Sequence, residues 1–189
     1  MITQAATFLK GHFLMAMPTM ADPNFKRSVT CIAEHGAEGA LGIVINRLRE
    51  PINGRMIFDE LKIEYNAMAE HIPVHVGGPV HPNELFILHA APLDWGGSLH
   101  IAENLALSNS RSILEAIAIG EGPRDFVISL GCAGWGPGQL EWEMAQNAWL
   151  SMVASHDIIF SLPIEERWDT AIRRLGIDPQ LISATAGHA

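Results

Sequence analysis

The residues best spaced to do chemistry lie in Val127–Leu150, VISLGCAGWGPGQLEWEMAQNAWL. An apolar run, Phe126 to Leu130, meets glycines at 131, 134, 136 and 138, and a helical pattern starts near Pro137. Glycines let a backbone approach an anion, and free N–H groups at a helix start favour negative charge. The pattern predicts a phosphate or carboxylate seat at the start of a 137–149 helix, with Gly131, Trp135, Gly138 and Gln139 in the loop. The spacing is neither a Walker loop nor a GxGxxG fingerprint. The competing reading is a tight turn that lets Trp135 pack, and Glu141 and Glu143 would oppose an anion there.

Other candidates are weaker. Cys132 stands at the strand end, where a nucleophile elbow would place its residue, but G-x-S-x-G and an adjacent histidine are missing. Nine histidines invite a metal reading. His71 and His75 have helical ligand spacing, yet Pro73 lies between them. On a strand they would stand about 13 Å apart. Neither CxxC nor HExxH occurs. No metal ligand, cofactor motif or catalytic residue is assigned.

Glu34-His35 and Asn46-Arg47 close two adjacent strands, whose ends are expected to gather at one edge. A carboxylate, an imidazole, an amide and a guanidinium would make a polar binding site there. The competing reading is hydrogen bonding that ties down loops. Together with Gly77-Gly78 and the Trp135 loop, these four residues form the region expected to carry function.

The elements that position these residues read as follows. Phe13–Met17 is a short, wholly apolar strand stopped by Pro18. Val29–His35, with Val29, Cys31 and Ala33 on one face, and Ala40–Asn46 form a hairpin. Pro51–Gly54 reads as a loop, Arg55–Ile63 as a short helix, and Ile72–Val76 as a strand ended by Gly77-Gly78-Pro79. Leu85–His89 and Leu99–Ile101 read as strands. Ser108, Asn109 and Ser110 offer caps for a helix with Ile113, Leu114 and Ile117 on its apolar face, stopped by Gly120. A last helix carries Pro163 in its first turn and the stripe Ile164, Trp168, Ile172, Leu175. Strands precede a helix-rich half without strict βαβ alternation. That order predicts an α+β domain with a mixed, mainly antiparallel sheet, spanning residues 1–189 without an internal linker.

Composition narrows the function. The chain has 189 residues, 48% of them apolar, and a formal charge of −9. That size supports a core without a disulfide or metal. Only twelve lysines and arginines occur, scattered along the chain, which argues against direct DNA binding. No apolar stretch approaches the roughly 20 residues that cross a bilayer, and the start lacks a signal-peptide pattern. The expectation is a cytoplasmic protein with no membrane span, in which Cys31 and Cys132 are free thiols.

The segments HFLMAMPTMADPNFKRSVTCIAEH, GALGIVINR, VGGPV and VISLGCAGWGPGQLEWEMAQNAWL, and the ending Ala186-Gly-His-Ala189, resemble the AlgH/YqgE family of bacterial proteins in the same order. The resemblance implies a cytoplasmic α+β protein whose sheet curls into a pseudo-barrel flanked by helices. Some members carry the label of transcriptional regulator, and no catalytic residues transfer. The chain departs from the family pattern at three places: Cys132 where members usually have tyrosine, Leu48 where they commonly have proline, and Glu84-Leu85 where they tend to have Arg-Gly. The leading expectation is therefore a non-catalytic regulatory or protein-interaction module that acts indirectly on gene expression, with a protein partner or a small ligand. The alternative is an anion-binding or hydrolase-like protein using the 131–138 loop and the hairpin edge.

Overall fold

The computed structural model describes residues 8–185; the Ala186–Ala189 ending lies outside them. An eight-strand path runs β10-β1-β2-β3-β9-β6-β8-β7. In chain order the first strands are β1 (His12–Ala16), β2 (Val29–Gly36), β3 (Gly39–Val44), β4 (Leu48–Asn53) and β5 (Pro73–Val76). The others are β6 (Val80–His89), β7 (Leu99–Ala102), β8 (Leu105–Ser108), β9 (Phe126–Trp135) and β10 (Trp149–Val153). Every neighbour on the path is antiparallel; β5 adds a parallel ladder to β9 and carries β4 at its other edge. The expected α+β architecture with a mainly antiparallel sheet is thus what the chain builds. The sheet curls so that the start of β1 meets β7: a methyl added at Gly11 would lie 3.6 Å from the Ile101 carbonyl. The hydrogen-bond path still ends at β10 and β7 among the described residues, so the curl leaves the barrel unclosed.

The alternation of β2 explains the core. Val29, Cys31 and Ala33 face inward with Phe13, Met15, Ile43, Phe86 and Leu88, as expected. The helices α4 (His156–Phe160) and α5 (Arg167–Arg174) cover this inner core with Ile158, Ile159, Trp168 and Ile172. Trp168 is 1% exposed, and its indole N–H donates to the Ala16 carbonyl, which meets the one polar need of that ring. On the outer face, α1 (Gly54–Leu61) and α2 (Arg111–Ile119) bury Phe58, Ile113 and Ile117 against Val74, Ile87 and Ile128. The short helix α3 (Gln139–Ala145) covers a third cluster with Leu140, and α6 (Pro179–Thr185) follows α5.

Four expectations need correction. The strand from Phe126 does not break at Gly131 but continues to Trp135, because β6 pairs with Cys132 and β3 with Ala133–Trp135 beyond that glycine. The 137–149 helix stops at Ala145, and Trp149 opens β10 instead, drawn into an antiparallel ladder with β1. Pro51 lies inside β4, where it is tolerated because that strand pairs only with β5. Leu105–Ser108, read in part as a helix cap, is β8 between β6 and β7. The cap role falls to Ser110 by position, and Gly120 closes α2 in the left-handed region as expected.

Candidate functional site

A bulge makes the site possible. The β2–β3 register slips between Ile32 and Glu34, so the side-chain alternation of β2 reverses beyond Ala33. His35 pairs with Ala40, which pairs with Trp135, and all three share the outer face with Ile32. Without the bulge, His35 would point into the inner core. Its ring is buried, with Nδ1 2.9 Å from the Leu9 amide and Nε2 3.0 Å from Glu141 Oε1. An amide N–H can only donate, so Nδ1 accepts. The hydrogen therefore sits on Nε2 and is donated to the carboxylate.

Beyond Trp135 the chain turns through Gly138, whose left-handed φ of 72° reverses it into α3. This helix carries the centre of the site, Glu143. One carboxylate oxygen accepts both indole N–H groups, Trp135 at 3.0 Å and Trp149 at 2.8 Å. The other accepts the Gln139 amide at 2.9 Å, and Gln139 Oε1 in turn accepts the Gly136 N–H at 3.0 Å. Phe25 packs on both tryptophans, with ring centroids 6.0 Å from Trp135 and 5.4 Å from Trp149. Glu143, Trp149 and Phe25 were not among the expected site residues. The i,i+4 spacing of Gln139 and Glu143 was a signal for one of the bonds, but the indole contacts arise only from strand pairing.

Asn46 and Arg47 do not join Glu34 and His35. In the hairpin register Thr30 pairs with Val44 and His35 with Ala40, so the two polar pairs occupy opposite ends. Adjacent antiparallel strands share an edge only between the end of one and the start of the next. Asn46 accepts the Val29 N–H and donates to the Arg27 carbonyl; Arg47 donates to the carbonyls of Pro23 at 2.7 Å and Lys26 at 2.6 Å. Burial lowers the Arg47 pKa, against the pull of Asp22. These two side chains tie down the loop that carries Phe25 to the tryptophan pair, so they act on the site at a distance.

Gly77, Gly78 and Gly131 serve a backbone crossing. The chain leaves β5 on one side of β9, passes over it and returns as β6 on the other side. A methyl on Gly77 would lie 2.1 Å from the Gly131 carbonyl, and one on Gly78 would lie 2.3 Å from the Cys132 carbonyl group. Only glycine fits there. Cys132 is buried, and burial raises its thiol pKa; Cys31 is pushed up to about 12 by burial. Both are free thiols without the thiolate character of a nucleophile. Among the described residues no three His, Cys, Asp or Glu side chains gather as metal ligands.

A cavity of about 350 Å³ lies between the hairpin tip and Trp135, lined by Glu34, His35, Glu38, Leu41 and the backbone between them. Its exposed rim carries Glu34 and Glu38, and the Glu141 side chain is 41% exposed beside His35. Carboxylates accept and do not donate, so this rim suits cations and N–H donors and repels anions. The anion seat expected at the helix start has no such geometry: the Gly136 N–H is taken by Gln139, and α3 has only seven residues.

No helix among the described residues is long and apolar enough to cross a membrane. The AlgH-like family model matches residues 13–180. A UPF0301 protein of Desulforapulum autotrophicum is 46% identical over 189 residues, covering all of both chains. The UPF0301 protein AlgH of Pseudomonas aeruginosa is 47% identical over 185 residues and 97% of each chain. The solution structure of AlgH from P. aeruginosa superposes with a TM-score of 0.80 at 46% identity over the whole of both chains. Protein DIP2367 of Corynebacterium diphtheriae shares the fold alone, with a TM-score of 0.74 at 21% identity over 93% of this chain and 91% of that one. With the family model matched over residues 13–180 and relatives at this identity along the whole chain, the chain belongs to the AlgH-like family.

Proposed function

We propose that the His35–Trp135 site is the non-catalytic binding surface of a cytoplasmic regulatory or protein-interaction module that acts on gene expression indirectly. Its ligand is a basic segment of a protein partner. One observation carries this reading. The hydrogen-bonding groups of Trp135, Trp149, Gln139 and Glu143 are engaged with one another, while the carboxylates of Glu34 and Glu38 stand open at the rim and Glu141, bonded to His35, adds its charge beside them. A saturated interior holds shape and has no group free to react; an acidic rim selects lysine and arginine. The formal charge of −9 supports a basic partner and opposes duplex DNA.

The test is titration of the ¹⁵N-labelled protein with an arginine-rich peptide and with an acidic peptide of equal length. Amide shifts should move over residues 34–41 and at Trp135 with the basic peptide only. The E34K/E38K variant should lose the response, and added salt should weaken it. Equal affinity in E34K/E38K, or shifts confined to other surfaces, would refute the reading.

A further inference from the structure

At the opposite end of β9 lies a hydrogen-bonded chain that the interaction reading does not use. His89 pairs with Phe126 in the ladder, nine residues from Trp135 and so about 30 Å away along the strand. It is fully buried, and burial lowers its pKa, so the ring is neutral. Its Nδ1 lies 2.9 Å from the Ala90 carbonyl oxygen. A carbonyl only accepts, so Nδ1 carries the hydrogen and Nε2 is bare. Nε2 lies 2.8 Å from Ser108 Oγ, so Ser108 gives it its single hydrogen. Ser108 Oγ lies 2.7 Å from Ser98 Oγ, and with its own hydrogen engaged it can only accept from Ser98. Ser98 Oγ in turn accepts the Trp95 backbone N–H at 2.9 Å. Each side-chain hydrogen in the chain therefore points one way, from Ser98 through Ser108 to a buried imidazole base.

The outer end is open. Ser98 is half-buried and follows Gly96 and Gly97, which lie at φ 66° and 92°. A methyl added to either glycine would meet nothing within 4 Å. Trp95 and Leu99 flank the turn with half-buried apolar surface, and Asp94 places a carboxylate nearby that disfavours anionic substrates. A serine hydroxyl whose proton leads to an oriented base is the arrangement that activates a nucleophile.

We propose that Ser98 is a nucleophilic serine that takes an acyl group from small uncharged esters, with Ser108 and His89 as its proton relay. Ser98 Oγ bonds to the ester carbonyl carbon. Its proton passes to Ser108 Oγ, and the Ser108 proton passes to His89 Nε2. The carbon–oxygen bond to the leaving alcohol breaks, and that alkoxide takes its proton from Ser108 Oγ, which is refilled from His89 Nε2. Water then attacks the acyl-serine, and the relay again removes and returns one proton, leaving free acid and serine.

The experiment treats the folded protein with diisopropyl fluorophosphate and, separately, with p-nitrophenyl acetate, followed by intact-mass analysis and peptide mapping. One adduct is expected, at Ser98, with release of one equivalent of p-nitrophenol before slower turnover. The S98A variant should lose both signals. The S108A variant, checked for a native thermal melt, should react about 100-fold or more slowly. If S108A does not fold, the wild-type rate should be slower in D₂O than in H₂O, and equal rates would refute the relay. An adduct on other residues only, no adduct in the folded protein, or an undiminished rate in folded S108A would overturn the proposal.

Discussion

Replacing Glu143 tests whether its carboxylate holds the site together. Glu143→Ala strips the acceptor from two indole N–H groups on tryptophans that are 5% and 3% exposed. A buried donor left without a partner costs about 1–3 kcal/mol. Both indoles are buried but Glu143 itself is half-buried, which takes the lower part of that range, so the two together cost about 3 kcal/mol. For a domain of this size that corresponds to a fall of roughly 6–12 °C in melting temperature. Glu143→Gln is subtler. Its amide oxygen can serve both indoles, but its NH₂ then faces the NH₂ of Gln139, which cannot turn round because its oxygen holds the Gly136 N–H. One mismatch toward solvent costs about 1 kcal/mol. The exchanged pair Q139E/E143Q restores every donor to an acceptor: the carboxylate at 139 accepts from Gly136 and from the amide at 143. It should therefore be more stable than the sum of its single variants by about 1 kcal/mol. Urea titrations followed by tryptophan fluorescence and far-UV circular dichroism measure the wild type, E143A, E143Q, Q139E and the exchanged pair. A loss below 1 kcal/mol in E143A, or strict additivity in the exchanged pair, would refute the reasoning.

Three other substitutions test burial and close packing. His75 is 3% exposed, neither ring nitrogen has a well-formed hydrogen bond, and its pKa is lowered from 6.5 to about 4 by burial and then by the Arg167 charge, with the Ile128 carbonyl opposing weakly. The unfolded chain therefore takes up a proton that the native state refuses, so stability is complete above pH 6.5 and falls between pH 6.5 and 4. The loss totals about 3 kcal/mol, and a His75→Leu variant should show a flatter pH profile of unfolding free energy over that window; an unchanged slope would count against it. Gly78→Ala would set a methyl 2.3 Å from the Cys132 backbone at φ +149°, and should cost more than about 4 kcal/mol or prevent folding. Gly96→Ala, with open space and φ +66°, should cost only about 1 kcal/mol. Comparable melting temperatures for the two variants would refute the crossing argument.

Local pattern was enough for much of the fold. The apolar runs at Phe13 and Phe126, the β-branched Ile43-Val44-Ile45 and the 3.6-residue spacing of Ile113 and Ile117 each commit a segment to strand or helix by periodicity, which needs no partner. Elements whose state depends on a distant neighbour were not legible. Trp149–Val153 follows directly on a helical pattern and becomes β10 only because β1 offers it an edge. Gly131 and Gly134 look like loop residues until β6 pairs with the strand as far as Cys132 and β3 with Ala133–Trp135.

The site divides in the same way. Residue types alone announced that polar groups cluster around Glu34-His35, Asn46-Arg47 and the Trp135 segment, because a charged or amide side chain beside an apolar strand must find partners. Which groups meet was settled by register. A single bulge beyond Ile32 turns His35 outward to Glu141, and strand order sends Asn46 and Arg47 to the far end, where they brace the loop carrying Phe25. The Ser98–Ser108–His89 chain had no signature in sequence at all, since its members lie ten and nineteen residues apart and meet only because β6, β7 and β8 pair side by side. Periodicity is a property of neighbours along the chain, and hydrogen bonds between strands are a property of register, which only the folded chain possesses.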